Sequence, residues 1–336
     1  MDLSILDQSP IPSGQTAQAA LQASMKLAQS GEKFGYTRYW IAEHHDLEGL
    51  ACSAPEVMLG YIGANTNTIR LGCGAVLLPH YKPYKVAETY NMLATLFPNR
   101  IDIGIGRAPG GSAEATMALS DNFLDGVRKM PEKVNELIQF LHSDFPNDHM
   151  FSKVKAKPLP SIVPEPWILG TSKKSALMAA EHGTSYAFGL FMSDQDGVEI
   201  LDLYKTHFRK GVTKEPKTIL TVSVLCGETT EKADDLAWSS YLWRLQNARG
   251  EAKGIPSIEI ARTYPYTPSE KEGFKDIYKK MIIGTPKEVS SQLIDLKKKY
   301  GVDEIMIVTI THQFEDREKS YELIAREFDL ISKGGF

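Results

Sequence analysis

At positions 43 to 46 the chain reads Glu-His-His-Asp, directly after the apolar run Tyr39-Trp40-Ile41-Ala42. Imidazole titrates near neutrality, so Glu43, His44 and His45 can supply an acid, a base, a hydrogen-bond donor or metal ligands. The plainer reading is a solvated loop with a helix-capping role. A second segment, Gly104-Ile105-Gly106-Arg107-Ala108-Pro109-Gly110-Gly111, sets an always-charged planar fork among glycines that let a ligand approach the backbone. It is not the nucleotide fingerprint, whose third glycine opens a helix. A third segment, Gly170-Thr171-Ser172-Lys173-Lys174-Ser175, lies where a helix should begin. Its free N–H groups and the hydroxyls of Ser172 and Ser175 can receive an anion. Singly, these two segments read as a tight turn and an ordinary serine cap. Together they make a phosphate cradle. Gly72 and Gly74 interrupt an apolar run, which fits a bulge, a flat ligand against the backbone, or dense packing. His80, just beyond, reads equally as a pocket or a loop residue.

The elements that must position these groups alternate along the whole chain. Short apolar or β-branched runs at residues 3–7, 39–42, 69–78, 101–105, 167–169, 185–188, 218–225 and 303–310 read as strands. Helical spacing fills 16–34, 54–64, 83–96, 127–141, 172–181, 194–208, 231–247 and 317–331, and a capping box with proline opens another helix at Thr285-Pro286-Lys287-Glu288. Eight strands separated by helices predict a parallel (β/α)8 TIM barrel, with a doubly wound open sheet as the alternative. Insertions fit at 108–122, 145–165 and, most notably, at 250–283 after strand seven. No linker divides the chain, so one domain over residues 1–336 is expected. In a barrel, chemistry sits where strands end, and all three polar segments stand at strand ends.

Composition narrows the partners. The 336 residues are 42% hydrophobic and 24% charged with a net charge of −4, the balance of a globular protein without a basic surface for nucleic acid. No apolar run reaches the roughly 18 residues of a membrane span, and the opening Met1-Asp2-Leu3-Ser4-Ile5-Leu6-Asp7 has no basic n-region and no cleavable apolar stretch. Cys52, Cys73 and Cys226 are odd in number and widely spaced, which points to a reducing cytoplasm rather than a disulfide framework.

The pieces in this order resemble the bacterial luciferase-like monooxygenases, flavin-dependent (β/α)8 barrels. The matching stretches are 40–45, 69–79 with Ala87-Glu88 following, 102–107, 170–175 and 284–289, and the opening Leu6-Asp7-Gln8-Ser9-Pro10 is similar to a subgroup of bacterial oxidoreductases. The resemblance implies FMN as cofactor, with a deazaflavin coenzyme as the alternative within the family. Arg107, Ser172 and Ser175, with the backbone N–H groups of Thr171 and Ser172, would hold its phosphate. Gly74 and Ala75 would lie against the isoalloxazine ring, joined by a cis peptide bond. His44 matches the family's catalytic histidine, and Glu43 would stand behind it or against the ring. The segment 250–283, with Gly254, Pro256, Pro265 and Pro268, falls where relatives carry a mobile lid, and reads as irregular until ligand binds.

Gly106 replaces a cysteine and Thr171 an acidic residue of luciferase itself, and residues 189–192 are dissimilar, so light emission is not implied. The expected partners are a small organic substrate and O2; reduction of the flavin in place by NAD(P)H and supply from a separate flavin reductase both stay open, and the absence of a nicotinamide fingerprint favours the reductase. A homodimer through the helices at 54–64 and 83–96 is also expected. Two competing readings are a non-catalytic flavin-binding barrel and a metal-dependent hydrolase using Glu43, His44, His45 and His80. Adjacent histidines at a strand end point in different directions, so no metal site is expected.

Overall fold

The computed structural model describes residues 1–331. Nine parallel strands form in chain order: β1 (Asp2–Asp7), β2 (Arg38–Ile41), β3 (Arg70–Leu77), β4 (Ile101–Gly106), β5 (Glu165–Gly170), β6 (Ser185–Gly189), β7 (Thr218–Cys226), β8 (Ile282–Gly284) and β9 (Glu304–Val308). Strands β1 to β7 pair in sequence, β7 pairs with β9, and β9 returns to β1, so eight strands close into a ring. This is the expected (β/α)8 barrel. The short β8 adds to the Val224–Cys226 end of β7, outside the ring. Three residues directly before a capping box leave too brief a signal to read as a strand.

Two other stretches differ from the sequence reading. Residues 250–283 are not irregular: they hold the helices Ile258–Thr263 and Pro268–Lys280 and then β8. Thr267 and Glu270 form a capping box around Pro268, which stands in the first turn where a missing N–H is harmless. A proline read as a breaker is therefore a helix start. The single helix expected at 127–141 is two, Phe123–Arg128 and Met130–His142, divided at Lys129 with Pro131 opening the second. The peptide bond between Gly74 and Ala75 is cis, as the resemblance implied.

Strand alternation divides the side chains. Leu3, Ile5, Tyr39, Ile41, Leu71, Ile103 and Ile105 face outward into an apolar shell beneath the helices. The inward positions fill the barrel in layers. Arg38, Arg70, Asp102, Glu165 and Glu304 form the floor, at the N-terminal ends of the strands. Arg38 donates to Asp102 at 2.7 Å and to Glu304 at 2.8 and 3.0 Å, while Arg70 reaches Asp102 and Glu165. Burial alone pushes the Arg38 pKa down, but Asp102 and Glu304 push it further up, so the guanidinium stays charged. Trp40 and Trp167 lie above, edge to face at 5.6 Å, and the Trp40 indole N–H donates to Asp102 at 3.0 Å. Gly72 makes room for that indole, because a Cβ there would come within 2.5 Å of its Nε1.

Outside the barrel, Arg317 of the helix Phe314–Glu327 meets Asp7 at 2.8 Å, and Asp7 also accepts from Tyr39 and Ser9. This buried pair fastens the last helix to the first strand, where the chain's ends close the ring.

Asp102→Leu would strip Arg38, Arg70 and Trp40 of their shared acceptor. Loss of one partner of a buried network should cost about 3–5 kcal/mol in urea unfolding. A loss below about 1 kcal/mol, the size of an exposed pair, would show that the floor does not hold the barrel.

Candidate functional site

At the opposite end, the strands open into a cavity of about 490 Å3. Its wall is mostly apolar, with Leu6, Trp40, Leu77, Leu169, Phe191 and Met306 among its residues. Glu43, His44, Gly74, Ala75, Arg107 and Thr171 also line it, so six of the residues singled out from sequence meet here.

His44 follows β2, and its backbone N–H donates to Cys52 at 2.9 Å. Its ring Nδ1 is enclosed with no partner among the described residues. Burial, and then the neighbouring His45, push its pKa down to about 4. The imidazole is therefore neutral at physiological pH, with a nitrogen free to exchange a proton. Glu43 is engaged differently. Its carboxylate accepts from the Tyr81 hydroxyl at 2.5 Å and the Leu77 N–H at 3.1 Å, and contacts His45 Nε2 at 2.9 Å. It braces the loop and reaches the cavity only as a wall.

Gly74 and Ala75 form one side of the cavity, with Gly106 beside them on the paired strand β4, where an added Cβ would stand 3.0 Å from that of Ala75. Arg107 lies at the end of β4. Its guanidinium donates to the Ser172 hydroxyl at 3.2 Å and has no anionic partner among the described residues. Ser172 caps the helix Lys173–His182, so positive dipole, free N–H groups and guanidinium converge. A smaller hollow of about 230 Å3 lies beside Arg107, lined also by Lys174 and Ser175. Ser175 is buried, and its hydroxyl bonds to the Ser172 carbonyl at 2.7 Å and to Tyr186 at 3.0 Å.

His45 pairs with Glu43, while His80 bonds Ser120 at 3.1 Å and the Pro109 carbonyl at 3.0 Å and stacks on Phe123. The three histidines thus have separate engagements, and no group of three or more His, Cys, Asp or Glu among the described residues could hold a metal ion. The metal-hydrolase reading has no ligand set here. The cysteine thiols are buried, which pushes each pKa up to about 12 and leaves none reactive near neutrality. Among the described residues no helix is long and apolar enough to cross a membrane.

Sequence reasoning missed Tyr81, Thr221, Met306, Phe191 and Met192. Strand alternation could have placed Thr221 and Met306 inside, whereas Phe191 and Met192 lie in a short turn after β6 that carries no pattern.

Residues 1–304 match the family model for luciferase-like monooxygenases. The uncharacterized protein YceB of Bacillus subtilis (strain 168) is 42% identical over 327 residues, covering 97% of this chain and 99% of that one. The N-acetyl-S-alkylcysteine monooxygenase of the same organism is 37% identical, covering 96% and 97%. Among solved structures, apo-MsnO8 superposes with a TM-score of 0.88 at 34% identity, covering 98% of each chain. The oxygenating component of a Pseudomonas putida 3,6-diketocamphane monooxygenase, solved with FMN, has a TM-score of 0.71 at 18% identity and covers 97% of each chain. An F420-dependent secondary alcohol dehydrogenase has 0.69 at 12%, covering 98% of each. The last two share the fold alone. With the family pattern matched over most of its length and relatives aligned almost end to end, this chain belongs to the luciferase-like monooxygenase family.

Proposed function

We propose that the chain is an FMN-dependent monooxygenase that acts with reduced flavin and O2 on a small organic acceptor. The observation that carries this is the pairing, in one apolar cavity, of an anion-free guanidinium at a helix N-terminus with a neutral, unpartnered imidazole. These residues fit FMN. Arg107, Ser172 and the N–H groups of Thr171 and Ser172 would hold the phosphate, with Ser175 fixing the cap, and Gly74 and Ala75 would face the ring. When bound, FMN supplies the electrons that activate O2. The chain's own part is to hold the ring, exclude water with its apolar wall, and move a proton at His44 Nδ1. Glu43 keeps the His44 loop in register with the end of β3.

The camphane monooxygenase component was solved with FMN and the secondary alcohol dehydrogenase with an F420 adduct, so both coenzymes belong in the binding test. A relative acts on N-acetyl-S-alkylcysteines, so S-alkyl thioethers open the acceptor screen. Reduced flavin is delivered by a separate reductase, residues 250–283 act as the lid of this single domain, and the buried thiols suit a cytoplasmic setting. A homodimer is also part of this reading. Val57 and Tyr61 stand one turn apart on the helix Pro55–Gly63, as do Met92 and Leu96 on Pro83–Leu96, and all four are exposed. The two helices pack on each other, so the exposed residues are available as one apolar face.

Anaerobic titration should show tight binding of reduced FMN and weaker binding of F420, followed by O2 consumption when an acceptor is present. NADH alone should leave the flavin oxidised. Binding of neither flavin would overturn the reading, and binding without O2 consumption across the screen would favour a flavin-binding barrel. His44→Gln should keep FMN affinity within about twofold and lose about 10²- to 10⁴-fold in turnover.

The depressed His44 pKa sets a pH window. Between about 6.5 and 4, an unfolded chain protonates this ring while the folded protein does not, so His44 costs stability as pH falls through that range and nothing above it. His44→Gln should therefore lose less stability than the parent between pH 7.5 and pH 5 in urea unfolding. An equal loss in both proteins would show that the ring is not held neutral. Light scattering should find a dimer that Met92→Glu with Leu96→Glu converts to a monomer, and a monomeric parent would remove the proposed interface.

A further inference from the structure

The turn after β3 is held more firmly than a connecting loop needs. Leu78–His80 make one tight helical turn, closed by the Tyr81 N–H on the Leu78 carbonyl at 3.1 Å. Lys133, in the first turn of the helix Met130–His142, donates to the carbonyls of Leu78, Pro79 and Tyr81 at 3.2, 2.9 and 2.9 Å. An ammonium has three donors, and all three go to this one turn, with no ion pair among the described residues. Gly126, on the helix Phe123–Arg128, stands so close that an added Cβ would come within 2.4 Å of the Pro79 carbonyl oxygen. Burial, and then Lys82, lower the Lys133 pKa, so the ammonium gives up water to make these bonds. A half-buried charge committed to three neutral carbonyls calls for a reason.

Tyr81 supplies one. Its carbonyl is fixed by Lys133, and its hydroxyl donates to Glu43 at 2.5 Å. Burial, and then this bond to Glu43, raise the Tyr81 pKa far above neutrality, so the hydroxyl keeps its proton and stays a donor. Glu43 and, more weakly, Glu56 are the charges that act on it. The Glu43 side chain is only 2% exposed, so its carboxylate relies on Tyr81, the Leu77 N–H and its contact with His45. The next residue is His44, whose ring makes no hydrogen bond among the described residues. The direction of that ring is therefore set by packing and by the bonds of its neighbours. Tyr81 itself does not line the cavity.

We propose that Tyr81 is a positioning residue for His44, held in place by Lys133 and acting through Glu43, an inference that rests on reading His44 as the group that moves a proton. Without the hydroxyl, the enclosed carboxylate keeps only the Leu77 N–H and His45. A carboxyl group with fewer donors takes up a proton more readily, and a protonated one must donate, which it cannot do to an N–H. The tie between the His44 loop and the end of β3 then gives way, and the His44 ring gains water and freedom.

The test reads His44 directly, by magnetic resonance of isotope-labelled histidine in the full-length, flavin-free protein, with His44→Gln assigning its signals. In the parent, His44 should give one neutral set of ring signals that titrates only near pH 4. Tyr81→Phe keeps the ring and removes only the oxygen. It should broaden or double that set and move the midpoint up by about 1 pH unit, toward the ordinary 6.5. Its melting temperature should stay within about 4 °C of the parent's, the size of one hydrogen bond. His182, on the helix Lys173–His182 and bonded to none of these residues, should not change. Lys133→Met should repeat the effect on His44, and Lys133→Arg, which still donates to carbonyls, should keep the parent's spectrum. Identical His44 signals and midpoint in Tyr81→Phe and the parent would overturn the proposal. So would a change that His182 shares or a much lower melting temperature, either of which marks a merely structural hydroxyl. An unchanged His44 in Lys133→Met would overturn the part assigned to Lys133. If His44→Gln keeps full turnover, the reading of His44 falls alone, and the spectra still decide whether Tyr81 positions its ring.

Discussion

The Arg38 guanidinium, held between Asp102 and Glu304, is the contact on which the rest of the barrel depends. It joins β2 to β4 and β9, and Arg70 and Glu165 extend the same network to β3 and β5. Ser4 of β1 also donates to Glu304. Six of the eight ring strands thus meet in one buried layer. Buried charges stabilise a fold only when their donors and acceptors are used, and here each carboxylate oxygen of Asp102 and Glu304 has a donor. The network also fixes register. A slip of one residue would turn Arg38 outward into the apolar shell and Tyr39 inward among the carboxylates.

With the floor closed and the Trp40–Trp167 pair above it, the mouth carries little structural duty. His44 Nδ1 and the anion-free guanidinium of Arg107 belong to the mouth, while Trp167 Nε1 on β5 and Ser185 Oγ on β6 are also enclosed without a partner among the described residues. A barrel places its stability at one end and its chemistry at the other. The segment 250–283 packs on the barrel interior's apolar cluster through Ala252 and Ile255, while the helix Pro268–Lys280 within it has no buried residue.

Much of this was legible in the sequence because barrels write their sites at strand ends. The runs before Glu43, Arg107 and Thr171 were apolar and short, so each polar segment could be assigned to the mouth without knowing the fold in detail. The floor was not legible. Arg38, Arg70, Asp102, Glu165 and Glu304 are spread over 267 positions of sequence, and only ring closure brings them together. The helices at 258–263 and 268–280 were obscured by prolines, which mark a helix start as readily as a break.

Three consecutive residues show how the mouth is organised. Glu43 takes donors from Leu77 and Tyr81, which lie at and just beyond the end of β3, and also engages His45. The loop after β2 and the strand bearing Gly74 and Ala75 are therefore tied through one carboxylate, the counterpart at the mouth of Asp102 at the floor. His44 lies between two tied residues, and its backbone N–H is bonded to Cys52. Its ring is positioned by its neighbours' hydrogen bonds rather than its own. That arrangement leaves Nδ1 free without leaving the ring loose, the preorganisation that a proton-moving group in an enclosed cavity needs.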